Sequence, residues 1–314
     1  MRSLFLSLAC VSALHLGAFG CSSSDSKNSK DSNLNGNDAG PAGSSTADEG
    51  PAPKLPAAPA DCPMLATGTT NILGQPVELW VGQKQADKKG PILLYWHGTG
   101  SVADEIKVFM QSELDEVQAA GGVAASFTTT NGMGANTGNN VWYTGDYLAA
   151  DIIVACAVQQ LNIDPRRIYA AGCSAGGLEA GSMVAARSSY LAAAMTNSGG
   201  DVLISGFDDP THVPSIITTH GTYDMDFVIL HFADVSKATD QTFANMGGFA
   251  MDCDHGMGHC GAPADDIAAQ WQFVKDHPFG IQTDPYADGI PSSFPSYCTK
   301  VPATMQTMPM PATP

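Results

Sequence analysis

Short apolar runs alternate with longer helical stretches from Leu73 onward, which predicts a largely parallel sheet with helices on both faces. "VELWVG" alternates as a half-buried strand does, and "PILLYWHG" is an unbroken apolar run ending in glycine, as a central strand reads. "SVADEIKVFMQSELDEVQAAGG" has helical spacing, with Ser101 as its cap and Gly121 as its stop. "VAASFTTT" is strand-like, and the Gly/Asn-rich "NGMGANTGNNVW" after it is a loop.

Further along, "GDYLAADIIVACAVQQL" is a helix apolar on most faces, hence buried, and "NIDPRR" reads as a turn. The strand "IYAAG", the helix "LEAGSMVAAR", and the buried strands "YLAAAMTNSGG" and "PSIITTHG" follow; "ADDIAAQWQFVKDH" is the closing helix. The pattern holds no internal repeat. It predicts an α/β fold, doubly wound, in one domain over 61–300.

The two ends differ in composition. "MRSLFLSLACVSALHLGAFGC" has a basic start, an apolar run and small residues, which predicts an export signal over 1–20. Its end resembles a bacterial lipoprotein cleavage box and predicts a lipid on Cys21, with ordinary secretion as the alternative. Such a lipid would be the protein's sole attachment to a membrane. Residues 21–60 are Ser, Asn, Asp, Gly, Ala and Pro with little apolar bulk, too little to offset the entropy of ordering, so a flexible tether is expected. A second disordered tail is expected over 301–314. The net charge of −17 argues against nucleic acid as a partner, since no excess of basic residues is present to neutralise phosphates.

Chemistry gathers at "AAGCSAGGLEAG", where Gly172-Cys173-Ser174-Ala175-Gly176 lies between a strand and a helix. Two glycines permit a sharp turn that raises the Ser174 hydroxyl at a helix N-terminus, where backbone N–H groups favour developing negative charge. Serine needs a base, and the base needs an orienting acid. Asp224 follows the strand ending at His220, with Asp226 as its competitor. His259 sits on the glycine-rich loop "HGMGHCGAP" before the closing helix, and is preferred over His255. His97 and His220 follow central strands and read as structural. The oxyanion donors would be Ala175 N–H and, from "YWHGTGS", Thr99 N–H, with Gly98 next in line. Trp142 and Tyr143 could form an aromatic substrate wall or belong to the core.

Of eight cysteines, Cys10 and Cys21 fall at the N-terminal signal, leaving six. If Ser174 and His259 touch, their neighbours Cys173 and Cys260 are drawn to within the roughly 4.4–6.8 Å that a disulfide spans. The competing pairing is Cys253 with Cys260. "CDHGMGHC" superficially suggests a zinc site, yet no matching second half exists elsewhere, so no metal and no organic cofactor is expected.

"NIDPRRIYAAGCSAGG", "HGTYD" and "LLYWHGTG" resemble the secreted esterases that include polyhydroxybutyrate depolymerases and feruloyl esterases. The resemblance runs from about Pro91 to Lys275. It implies an α/β-hydrolase fold with Ser174, Asp224 and His259 as nucleophile, acid and base, and an aryl or polyester ester as substrate. The Cys-Ser and His-Cys pairs are similar to those of tannase-type feruloyl esterases, in which a disulfide joins the two catalytic loops. The segment from Met225 to Ala250 has no counterpart in that pattern. A peptidase or amidase using the same triad, or a catalytically silent binding protein on a hydrolase scaffold, are the rival functions.

Overall fold

A nine-stranded sheet in the order β1-β2-β4-β3-β5-β6-β7-β8-β9 forms the frame of the chain. The computed structural model describes residues 50–128, 146–201, 206–222, 230–261 and 263–304, all within one unit, Ser45–Pro314. The expected signal over 1–20, Cys21, Trp142, Tyr143, Asp224 and Asp226 lie outside the described residues.

The strands are β1 (Gly68–Ile72), β2 (Gln75–Val81), β3 (Gly90–Trp96), β4 (Val123–Phe127), β5 (Ile163–Cys173), β6 (Ala193–Asn197), β7 (Ser215–His220), β8 (Ala250–Asp254) and β9 (Cys298–Lys300). From β4 to β8 every neighbouring pair is parallel, while β1, β2 and β9 join antiparallel at the edges. The helices are α1 (Glu105–Ala119), α2 (Asp146–Gln160), α3 (Ala175–Ala186), α4 (Phe232–Asn245) and α5 (Ala264–Asp276).

Each central strand feeds two cores, because successive side chains point to opposite faces. Ile92, Leu94 and Trp96 of β3 pack with α2 and α3, and Leu93 and Tyr95 pack with α1 and α5. Covered on both sides, the strand has no polar position, which is why the apolar run was unbroken. Trp96 stacks on Phe127 with ring centroids 4.7 Å apart. Burying a side chain of this kind stabilises the fold by about 1.5–3 kcal/mol. This order of strands, with helices on both faces, is the α/β-hydrolase architecture expected from the sequence.

Several elements depart from the sequence reading. "NIDPRR" is not a turn: from Ile163 on it belongs to β5, where the register against β3 jumps from Gly90↔Ile163 to Ile92↔Ile168. The intervening residues form a bulge, and Pro165 sits there because its missing N–H breaks no ladder bond. Ser101 does not cap α1, whose N-cap is Asp104; Ser101 N–H instead donates to Gly98 O at 3.0 Å in the loop before it. The tether ends earlier than composition suggested. Gly50 N–H donates to Gly280 O at 2.8 Å, Arg166 donates to Gly50 O at 2.9 Å, and Lys54 pairs with Asp209 at 2.7 Å. Val301 N–H likewise bonds Ala250 O at 2.9 Å and Thr304 N–H bonds Asn245 Oδ1 at 2.8 Å, so the first residues of the expected tail are docked.

Three disulfides fasten the unit: Cys62–Cys156, Cys173–Cys260 and Cys253–Cys298. The alternative Cys253–Cys260 pairing is therefore not the one formed. None of the described helices is long and apolar enough to cross a membrane.

Candidate active site

Ser174 occupies the gap between β5 and α3 with φ 56° and ψ −121°. A non-glycine residue in that region costs about 1–3 kcal/mol and persists only where its surroundings fix it. They do so here from both sides. A Cβ on Gly172 would lie 2.3 Å from Gly176 O, and one on Gly176 would lie 1.8 Å from Trp96 O, so both positions need glycine for close backbone approach. Ser174 N–H donates to Asn197 O at 3.0 Å, tying the turn to the end of β6. Ser174 is the N-cap of α3, whose leading N–H groups, beginning with Ala175, have no partners within the helix.

His259 Nε2 lies 2.8 Å from Ser174 Oγ, although the residues are 85 apart in sequence. The loop that brings it there leaves β8 and is folded on itself. His255 N–H donates to His220 O at 3.0 Å, Met257 N–H to His255 Nδ1 at 3.0 Å, and Gly261 N–H to Gly258 O at 2.8 Å. His255 thus serves the loop. Gly221 backs against it, since a Cβ there would meet Met257 O at 2.0 Å.

Cys260 has φ 53°, a second strained position beside the first. Its N–H donates to Ser198 Oγ at 3.0 Å, and its sulfur is bonded to Cys173 with the Cα atoms 6.0 Å apart. The ring of His259 packs on Phe232, the first residue of α4, with centroids 4.7 Å apart.

The loop after β3 passes directly over the serine. A Cβ on Gly98 would lie 3.5 Å from both Ser174 Cβ and Cys173 O. Gly98 N–H is already spent on Glu105 Oε1 at 3.0 Å, which leaves Thr99 as the candidate donor of the two. His97 is buried, with Nδ1 2.8 Å from Gly98 O, and braces this loop. His220 is also buried, with Nε2 2.8 Å from Asp252 Oδ1 on the adjacent strand. Burial is the largest influence and opposes its protonation, but the bonds to Asp252 and Gly221 O and the charges of Asp252 and Asp254 together raise its pKa above the usual histidine value. Both histidines hold strand ends in place, as the sequence reading had it.

Ser198, Phe232, Glu105 and Asp252 went unrecognised in the sequence. Only Ser198 carried a local signal: "TNSGG" is a polar exit from a buried strand, at the sheet edge where sites gather in such folds. The cysteines of "CDHGMGHC" are not available as thiolates, since Cys253 is bonded to Cys298 and Cys260 to Cys173. The grouping of Cys253, Asp266 and Cys298 contains one of those disulfides and makes no metal centre.

No family model and no curated protein matches this sequence. Solved structures do resemble it in fold. Native pOPH superposes with a TM-score of 0.59 at 18% identity, covering 79% of this chain and 98% of its own. Native sOPH gives 0.57 at 14% identity, with 78% and 96% covered, and a thermostable esterase gives 0.50 at 17%, with 67% and 62% covered. At these identities the likeness establishes the α/β-hydrolase fold of the chain.

Proposed function

We propose that this protein is an exported serine hydrolase of carboxylic esters, with Ser174 as nucleophile, His259 as general base and Asp224 as the acid that orients it. The observation that carries the reading is the 2.8 Å approach of His259 Nε2 to Ser174 Oγ on a strained strand-to-helix turn. His259 takes the hydroxyl proton as Ser174 attacks the ester carbonyl, and Ala175 and Thr99 N–H groups receive the oxyanion. The protonated imidazole then passes that proton to the departing alcohol. Water, activated by the same ring, releases the acyl group and restores the serine.

Asp224 suits the third role by its place, two residues beyond Thr222 on the chain leaving β7. The carboxyl ends of the strands in such sheets are where reacting groups collect. Three disulfides favour an oxidising compartment, in keeping with an exported chain. Among substrates we favour aryl esters of the feruloyl type or hydroxyalkanoate polyesters, on the motif resemblance and on the fold shared with an esterase.

Hydrolysis of p-nitrophenyl butyrate by the wild type and by Ser174→Ala tests the chemistry. Turnover should fall by three or more orders of magnitude in the variant; undiminished turnover would reject the nucleophile. Methyl ferulate, polyhydroxybutyrate film and a peptide anilide, offered side by side, then separate the substrate classes.

A further inference from the structure

Among the described residues four that are not glycine have a left-handed φ, and three of them meet at one point: Ser174 at 56°, Ser198 at 45° and Cys260 at 53°. The fourth, Leu73, sits in the two-residue turn between β1 and β2. A side chain held in this region costs conformational energy that glycine avoids. Ser174 carries the reacting hydroxyl proposed above, and Cys260 is bonded to Cys173. Ser198 has neither use. Two glycines follow it directly, yet serine stands at the strained position itself.

Its contacts supply the reason. Ser198 is the first residue past β6 and is fully buried, and its N–H donates to Thr219 O on β7 at 2.7 Å, which ties its backbone to the sheet. From that fixed point its Oγ accepts the Cys260 N–H at 3.0 Å. The residue before it, Asn197, accepts the Ser174 N–H on its carbonyl at 3.0 Å. One dipeptide at the end of β6 therefore supports both segments, Asn197 the serine turn and Ser198 the histidine loop. The 2.8 Å between His259 Nε2 and Ser174 Oγ is set from this shared support, not through the 85 positions that separate them. The Cys260 N–H also belongs to the planar peptide group that includes the His259 Cα, so a bond to that N–H fixes the plane from which the imidazole projects. The disulfide joins the same segments through side chains and leaves that plane unspecified.

We infer that Ser198 is a positioning residue for the general base: its hydroxyl oxygen orients the His259–Cys260 peptide and so aims the imidazole at Ser174. This role rests on the Ser174–His259 chemistry proposed above. It acts on the geometry of the reacting atoms, so loss of the oxygen raises the barrier without changing how substrate is held.

Ser198→Gly and Ser198→Ala, assayed on p-nitrophenyl butyrate beside Ser174→Ala, test the assignment. Both Ser198 variants remove the acceptor. Glycine also removes the left-handed strain, which offsets the lost bond, whereas alanine keeps the strain and should melt at the lower temperature. Well below both melting points, each should show kcat reduced about tenfold with KM unchanged, and phosphonylation of Ser174 by a fluorophosphonate slowed by the same factor. A loss of kcat that follows the melting temperatures, large in Ser198→Ala and absent in Ser198→Gly, would overturn the inference, as would a rise in KM alone. If Ser174→Ala turns over as fast as the wild type, the hydrolase reading itself falls. If its turnover is lost while Ser198→Gly keeps full kcat, only the role of Ser198 falls.

Discussion

One carboxylate oxygen, Glu105 Oε1, accepts two hydrogen bonds: from Gly98 N–H at 3.0 Å and from the Tyr95 hydroxyl at 2.8 Å. Glu105 opens α1 and Tyr95 lies in β3, so this oxygen clamps the loop that carries Thr99 to fixed points of the frame. Burial, and then the nearby Glu105 charge, raise the Tyr95 pKa well above that of a free phenol, which keeps its proton in the bond. Glu105→Ala should lower kcat for p-nitrophenyl butyrate about tenfold with KM little changed, as the proposed Thr99 donor loses its aim. Glu105→Gln, which keeps an acceptor oxygen, should recover most of the loss. If Glu105→Ala raises KM alone, the clamp serves binding rather than the oxyanion.

The turn at Ser174 is expected to tolerate no added methyl at Gly176. A Cβ there would stand 1.8 Å from Trp96 O, part of the central strand's backbone, which cannot yield without breaking the ladder. Gly176→Ala should lower unfolding stability by about 3 kcal/mol or more, read from denaturant midpoints. Gly100→Ala makes the control. Gly100 has φ +79° but nothing within 4 Å of its would-be Cβ, so only the backbone strain of about 1 kcal/mol is expected.

Two disulfides offer a matched comparison. Cys173–Cys260 and Cys62–Cys156 span 87 and 94 residues, so the chain-entropy account assigns each about 4–5 kcal/mol. Replacing either pair by serine should therefore cost comparable stability. Only the Cys173/Cys260 double variant should also lose turnover when assayed well below its melting temperature, because that bond joins the neighbours of Ser174 and His259. Equal turnover in the two double variants would show that Ser198 and the glycine loop position His259 unaided.

Stability should fall as pH rises through the neutral range, owing to Glu179. This carboxyl sits on α3, nearly buried, and burial followed by the neighbouring Asp146 lifts its pKa to about 8. A raised acid pKa means the folded state holds its proton where the unfolded chain has released it. The contribution is fully present below about 4.5, the unfolded value, and is lost as pH climbs to about 8. Glu179→Gln should flatten this slope and add on the order of 3 kcal/mol at pH 9, measured by denaturant titration across pH. An unchanged slope in the variant would place the proton uptake elsewhere.

The sequence by itself settled what is local and periodic. The apolar run from Pro91 to Trp96 had to be a strand covered on both faces, and a serine between glycines at a strand-helix junction had to form a tight turn. Those readings need only the repeat of a strand and the steric freedom of glycine. The pairing of Cys173 with Cys260 was within reach because it followed from one assumed contact, Ser174 with His259. Elements whose burial is partial or polar stayed hidden. Helix α4 buries Ser236, Thr239 and Asp240 along its inner face, so its apolar stripe is too thin to show, and β1 and β9 are short edge strands rich in threonine. The bulge at Pro165 and the docking of residues 50–54 depend on partners far along the chain. So do Phe232 against His259, Glu105 under Gly98 and Ser198 against Cys260. Each is a meeting of side chains with no fixed spacing in sequence, and only the closed sheet, which decides which strand ends and helix faces adjoin, could bring them together.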